Sequence, residues 1–369
     1  MKVLHFGAGN IGKGLIFPMF EKNSSPINFT FVDSDDKTIQ FLKKENKITI
    51  KYMKEQKLVK QEFSGFKIVN IEEVSKNIED YLDIDIITTS VGVNNLSKLT
   101  NTIERIVEKS KKSILIMCCE NGNRVSSGFK KEFHEKIAAK INFVDCAIDR
   151  IIPNQNFIQN GYLLTEEYSN WVVDANQWPM GFQKISSIKY SDDLDYEMKI
   201  KLCLLNGSHS ALSWYRYNID RFDGIKTVAD SLKNEETLEF LKGYVLEVSK
   251  ALSKNNEKLL NLNKEFAKKV IERFKNPLFN DELSRVGRNP MVKLKKGERV
   301  FIPLEEAVKT NSSYKFILTT LKNGLNYWNV DDEESKIIRK VLFEEGFSAL
   351  LHTCLEFDEK LINVLKEEM

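Results

Sequence analysis

Three residues in one short stretch carry groups that could act together on a small ligand: Lys201, Asn206 and His209, in Lys201-Leu-Cys-Leu-Leu-Asn206-Gly-Ser-His209. On a regular helix turning about 100° per residue, Asn206 lies about 140° and His209 about 80° around the axis from Lys201. All three then share one half of the helix surface. A lysine whose pKa is lowered by burial and neighbouring positive charge can take a hydroxyl proton. An amide and an imidazole can steady the oxygen that loses it. This is the equipment for moving a hydride and a proton between an alcohol and a carbonyl. The same spacing also describes an amphipathic helix with a solvated lysine and a core histidine, so the stretch needs support from elsewhere in the chain.

A second set opens the chain. Gly7, Gly9 and Gly12 form G-x-G-x-x-G within Phe6-Gly7-Ala8-Gly9-Asn10-Ile11-Gly12, directly after an apolar run and before Leu-Ile-Phe-Pro-Met-Phe. A strand, tight turn and helix start in that order let a pyrophosphate approach the backbone, with the helix amides facing the phosphates. Asp33 closes the next apolar run twenty-one residues after Gly12, where a carboxylate can hold the adenosine ribose hydroxyls and repel a 2′-phosphate. NAD is therefore expected over NADP, with Lys37 close by and a simple turn-capping role for Asp33 as the alternative. Ser90 and Val91, in the loop after a third run, are further candidates for cofactor contact.

Elements must position these groups. VLHFGAG, NFTFVDSD, IDIITTSVG, SILIMCCEN and NFVDCAIDR are short runs separated by helical stretches, the pattern of βαβ units in a largely parallel sheet. Residues 48–70 alternate more visibly and predict an antiparallel excursion; residues 162–174 read as one or two strands extending the sheet. From Leu194 onward apolar residues recur at three and four, interrupted around Pro277, Pro290 and Pro303. The expected fold is an α/β Rossmann-like dinucleotide-binding domain over 1–190, followed by a mostly α-helical domain over 191–369.

Bulk composition narrows the function. With 55 Lys+Arg against 53 Asp+Glu, the net charge of +2 gives no global field for nucleic acid or an acidic membrane surface. A basic site must be local, and Arg285, Arg288 and Lys293, followed by Lys295, Lys296 and Arg299, supply one in the interrupted region. The five cysteines show no C-x-x-C or Cys/His ligand spacing, and His5, His134 and His352 are scattered, so no metal is expected and the thiols are expected to be buried and reduced. The amino terminus lacks a signal-peptide pattern and no run of eighteen apolar residues occurs, which predicts a soluble cytoplasmic protein, as a monomer or small homo-oligomer.

Several of these segments together resemble one family. The order K-x(4)-N-x-x-H at Lys201, Asn206 and His209 is similar to the motif of the mannitol dehydrogenase family, the polyol-specific long-chain dehydrogenases. HFGAGNIGKG (5–14) resembles the opening of members that act on mannitol 1-phosphate. FVDCAIDRIIP (143–153), CEN (119–121) and RFKNPLFNDELSRVGRNPMVKL (273–294) resemble further family segments in the same order. The resemblance implies Lys201 as general base, Asn121 and Asn206 as the oxyanion-stabilising pair with His209 assisting, and NAD as cofactor. Arg285 and Lys293 match the spacing of the family's substrate-contacting basic residues, with Arg288 and Arg150 as further substrate candidates. The implied reaction is reversible oxidation of mannitol 1-phosphate to fructose 6-phosphate. One departure points elsewhere: Asn206-Gly-Ser-His209 stands where phosphate-handling members show N-T-G-H, and it is closer to relatives acting on keto-uronates such as fructuronate or tagaturonate, or on free ketoses. A catalytically silent dinucleotide-binding module is the remaining alternative, and it would not need Lys201.

Overall fold

The computed structural model describes residues 1–55, 57–153, 155–278 and 281–368. The chain divides into two compact units, Met1–Met198 and Lys199–Met369.

Among the described residues, twelve strands lie in the first unit: β1 (Lys2–Phe6), β2 (Asn28–Asp33), β3 (Lys47–Lys54), β4 (Lys57–Ser64), β5 (Phe66–Asn70), β6 (Ile86–Thr89), β7 (Ile114–Cys118), β8 (Ile141–Phe143), β9 (Cys146–Asp149), β10 (Leu163–Leu164), β11 (Asn170–Asp174) and β12 (Lys189–Ser191). Six of them form one sheet in the order β5-β2-β1-β6-β7-β8, all pairs parallel. Counting only these six, the order is 3-2-1-4-5-6, the doubly wound dinucleotide-binding arrangement. Every residue of β6 and β7 is buried, which explains their unbroken apolar runs: both faces of a parallel sheet are covered. Phe17, Phe20, Phe29, Phe31 and Trp171 pack on one face, and Ile87, Ile103, Ile106, Ile116 and Phe129 on the other.

Three expectations are revised. NFVDCAIDR is two strands: β8 closes the six-stranded sheet, whereas β9 pairs antiparallel with β11. The antiparallel excursion exists as β3 and β4, but its last segment, β5, returns as a parallel edge strand beside β2. Residues 162–174 do not extend the main sheet, because β10 joins β3 and β11 lies between β12 and β9. Period-two alternation reports exposure of one face, not which sheet a strand joins.

The second unit is helical, with its long helices at Gly207–Asp220, Glu235–Ser253, Glu257–Phe274, Lys315–Asn326 and Glu333–Glu344. Side-chain caps start several of them: Asn234 accepts from the Thr237 amide (2.9 Å), Asn256 from Leu259 (3.1 Å) and Asp332 from Ser335 (3.2 Å), each satisfying an amide that the helix itself leaves unpaired. Trp214, Tyr244 and Tyr327 are fully enclosed in its core. Among the described residues, no helix is long and apolar enough to cross a membrane.

Candidate active site

The glycine loop leaves β1 where the strand order reverses, between β1 and β6. Gly7 has φ +105°, and a side chain there would meet the Ser90 carbonyl at 2.5 Å. A side chain on Gly12 would run into the Gly7 carbonyl. Gly9 differs, since a Cβ there would meet nothing within 4 Å. Two glycines thus permit the turn to close, and the third leaves its backbone open to an approaching ligand. Phe6, Gly7 and Ala8 are buried beneath the turn, with Asn10 and Ile11 half-buried at its far side. The helix then begins on a wide π turn, Gly12–Ile16.

Asp33 ends β2 and accepts from the Ala8 amide (2.6 Å) through one oxygen and from the Asp35 amide (2.9 Å) through the other. It therefore fixes the glycine loop as well as the turn after β2. Asp35, not Asp33, caps the following helix, accepting from the Lys37 and Thr38 amides. A cleft of about 750 Å³ opens here between Ala8, Gly9 and Asn10 on one side and Gln155–Ile158 on another, with Asp33, Asp35, Thr38 and Lys13 also lining it.

Ser90 and Val91 act on the loop from beside it. The Ser90 hydroxyl donates to the Gly7 carbonyl at 3.0 Å, and a ring nitrogen of His5 lies 3.0 Å from the same hydroxyl oxygen. Because that hydroxyl has one proton and spends it on Gly7, His5 Nε2 must donate, leaving Nδ1 to accept from Thr88 (2.8 Å). Burial lowers the His5 pKa to about 3, consistent with this neutral tautomer. The Val91 and Gly92 amides donate to the buried carboxylate of Glu120 at 2.8 and 2.9 Å, with the Thr89 hydroxyl adding a third bond. Neither His5 nor Glu120 was singled out by the sequence, although Glu120 stands inside the CEN segment. Asn121 follows it in the exposed loop after β7.

Arg150 in the same unit donates from Nε and Nη2 to the Glu166 carbonyl (3.0 and 2.8 Å) and from Nη1 to the Gly14 carbonyl (2.6 Å). These bonds tie the start of the helix after the glycine loop to the segment after β10 through main-chain contacts.

In the second unit, residues Lys201–Asn206 form a π turn that runs directly into the helix Gly207–Asp220. Its i→i+5 pattern turns less per residue than a regular helix. The angular arithmetic made on a regular helix is corrected accordingly: Asn206 lies closer in azimuth to Lys201 than 140°. Lys201 is half-buried. Asn206, His209 and Ser210 line a pocket of about 250 Å³ together with Arg285, Val286, Arg288, Asn289, Lys293 and Arg299. At a third of the cleft's volume, it suits a compact charged head group rather than a dinucleotide. The region expected to be irregular supplies two short helices, Leu283–Gly287 and Pro290–Leu294. Pro290 sits at the helix start, where its missing N–H costs nothing. The turn between them is pinned by Asp332, which accepts from the Asn289 amide at 2.7 Å.

Charge in this pocket is unbalanced toward the positive. Arg285 pairs with Asp281 and Arg299 with Glu298 (3.3 Å), while Arg288 donates from Nε to the Arg285 carbonyl (3.2 Å) and Lys293 to the Val286 carbonyl (2.6 Å). Burial, reinforced by Arg299, Arg288 and Arg285, pushes the Lys293 pKa down to about 8. His209 is flattened against Phe274, ring centroids 3.9 Å apart and nearly parallel, with Nε2 3.6 Å from Asp281. Burial lowers its pKa to about 4, so the imidazole is neutral near pH 7. Phe274 and Asp281, which lie against His209, were not named individually from the sequence although both fall inside the quoted 273–294 segment; Arg299 was named in the basic run just after it.

The mannitol dehydrogenase Rossmann domain profile matches residues 1–187, and that of the mannitol dehydrogenase C-terminal domain matches residues 193–362. The chain belongs to the mannitol dehydrogenase family. As a member it is an enzyme, a polyol dehydrogenase, whose first unit is a dinucleotide-binding domain. Relatives named mannitol-1-phosphate 5-dehydrogenase include one from Mycoplasma mycoides subsp. mycoides, 33% identical over 89% of this chain and 98% of that protein. Another, from Caldanaerobacter subterraneus subsp. tengcongensis, is 30% identical over 100% and 97%. The crystal structure of D-sorbitol dehydrogenase in substrate-free form superposes with a TM-score of 0.72 at 15% identity, covering 93% of each chain, a likeness of fold. Among the described residues no cluster of His, Cys, Asp and Glu could hold a metal, and Cys118, Cys119, Cys146 and Cys203 are buried thiols.

Proposed function

We propose that the protein interconverts mannitol 1-phosphate and fructose 6-phosphate with NAD, using Lys201 as general base. The observation that carries this reading is the 250 Å³ pocket, where Asn206 and His209 meet Arg285, Arg288, Lys293 and Arg299. Guanidinium groups bind phosphate through directed, charge-assisted bonds, and the pocket places that charge beside the polar groups of the Lys201 helix. The names carried by the relatives support mannitol 1-phosphate as the alcohol. NAD fits the first unit: Gly9 is open to a phosphate, and the Asp33 carboxylate would repel a 2′-phosphate.

NAD, which the Gly7–Gly12 loop and Asp33 would hold, would supply the acceptor for the hydride of the alcohol carbon. The chain's own groups do the rest. Lys201 takes the hydroxyl proton in oxidation and returns it in reduction. Asn206 and Asn121 donate to the oxygen as its charge develops, and neutral His209 adds a donor that carries no charge of its own. The cationic pocket holds the phosphate, fixing which carbon is presented.

Asn206-Gly-Ser-His209 favours a second reading, reduction of a keto-uronate or a free ketose by the same groups. NADH oxidation with fructose 6-phosphate, fructose, fructuronate and tagaturonate side by side separates the two. Turnover with fructose 6-phosphate alone supports the proposal; preference for a uronate or for fructose replaces the substrate.

A further inference from the structure

Lys13 follows the last glycine of the loop and is only 3% exposed. Its ammonium donates to the Ala8 carbonyl and lies 5.0 Å from the centre of the Phe157 ring, and its side chain lines the 750 Å³ cleft. No carboxylate among the described residues forms an ion pair with it. The two acids that line the cleft with it are otherwise engaged: Asp33 by the Ala8 and Asp35 amides, Asp35 by the Lys37 and Thr38 amides and the Thr38 hydroxyl. Burying an ammonium against one carbonyl and one ring face is costly, because its lost hydration is only partly replaced. A loop that needed only a staple for Ala8 could use a neutral donor.

We infer that Lys13 is a binding residue for the dinucleotide, its ammonium supplying the positive charge that faces the pyrophosphate as it crosses Gly9. This rests on reading the cleft as the dinucleotide site. The geometry explains why the charge is kept. Ala8 and Gly9 form the wall over which the phosphates would pass, and Lys13, bonded to the Ala8 carbonyl, lines the same cleft; burial lowers its pKa to about 8, and Asp33 and Asp35 oppose that fall without pairing with it. The arriving pyrophosphate provides the anionic partner that the protein itself withholds.

The test compares NADH, ADP-ribose and adenosine. NADH binding is followed by its fluorescence and the other two by displacement, for wild type, Lys13→Gln and Lys13→Arg. Lys13→Gln is expected to raise the Kd of NADH and ADP-ribose about tenfold or more, the loss of one charge-assisted contact. Adenosine, which has no phosphate, should be unchanged, and Lys13→Arg should stay within about threefold of wild type by retaining the charge. Unchanged Kd values, or an equal rise for all three ligands, overturn the inference, the latter marking a purely structural lysine. If Lys13→Gln does not fold, wild type carrying 13Cε-lysine decides: the Lys13 signal must move with ADP-ribose and stay still with adenosine. A wild type that binds neither NADH nor NADPH sinks the reading of the cleft itself, whereas NADH binding indifferent to Lys13→Gln sinks only the role of Lys13.

Discussion

Around Gly7–Gly12 the cleft is shaped largely by main chain: the Gly7 carbonyl held by Ser90, the Ala8 amide held by Asp33, and the Gly9 backbone left open. Around His209 the pocket is shaped by side chains brought from residues 206–210 and 285–299. The first is built on one short loop in which Gly7 and Gly12 leave no room for a side chain, with its far wall supplied by residues 155–158; the other is assembled from side chains across residues 206–299 and depends on supports such as Asp281, Phe274 and Asp332. Backbone sites recognise what is common to all dinucleotides, and side-chain sites can be retuned for one substrate. Perturbing each in turn should therefore separate cofactor effects from substrate effects.

The largest separation is expected at Lys201. Lys201→Ala should reduce kcat by about 10²–10⁴-fold, the usual contribution of a positioned proton-transfer group, while NADH binding by fluorescence stays within twofold. Turnover surviving near wild-type levels would remove Lys201 from the base role and revive the silent-module alternative. Next comes Lys293, whose replacement by alanine should raise KM for fructose 6-phosphate about 10- to 100-fold, the range for losing a hydrogen bond to a charged group, with NADH affinity unaltered. An equal rise with free fructose would show that the pocket does not read the phosphate.

How far the sequence alone reaches follows from the same contrast. The glycine loop and Asp33 were legible because a strand, a tight turn and a carboxylate at a fixed distance are local demands on the chain. The parallel sheet was legible from unbroken apolar runs, but β5 was not, since an edge strand directly after a hairpin carries no separate signal. Asn206, His209, Arg285, Arg288 and Lys293 were named from spacing and resemblance; that they share one pocket could not be read, because it depends on how the Leu283–Gly287 and Pro290–Leu294 helices turn at Asn289. The π turn at Lys201–Asn206 was invisible to arithmetic that assumes a regular helix. Lys13 was passed over because a lysine after a glycine motif gives no hint of burial, and Glu120 because its work is to hold amides rather than to touch a ligand.

A smaller effect sharpens the substrate half of the contrast through pH. Lys293 is charged below its pKa of about 8 and neutral above it; an anion binds the charged form, so affinity should be full below that value and fall as pH rises through it. His209, at about 4, stays neutral across this range and contributes nothing to the change. Sulfate, a dianion throughout, is the suitable probe: at saturating NADH its competitive Ki against fructose 6-phosphate should rise several-fold between about pH 7 and 9, and the rise should vanish in Lys293→Ala. A flat profile in wild type would place the anion away from Lys293.

The smallest effect on activity is expected at Arg150, and it bears most directly on where the substrate is held. Its three described hydrogen bonds end on the carbonyls of Gly14 and Glu166, so Arg150→Met should leave those carbonyls short of donors and lower stability by about 2–3 kcal/mol, read as a fall in the midpoint of denaturant unfolding. Because both carbonyls belong to the dinucleotide-binding unit, any functional loss should appear first in NADH affinity through the start of the loop helix. KM for fructose 6-phosphate at saturating NADH should change less than twofold. A large rise in that KM with unfolding unaltered would mean that Arg150 reaches the substrate after all, and that the phosphate is not held by the 206–299 pocket alone.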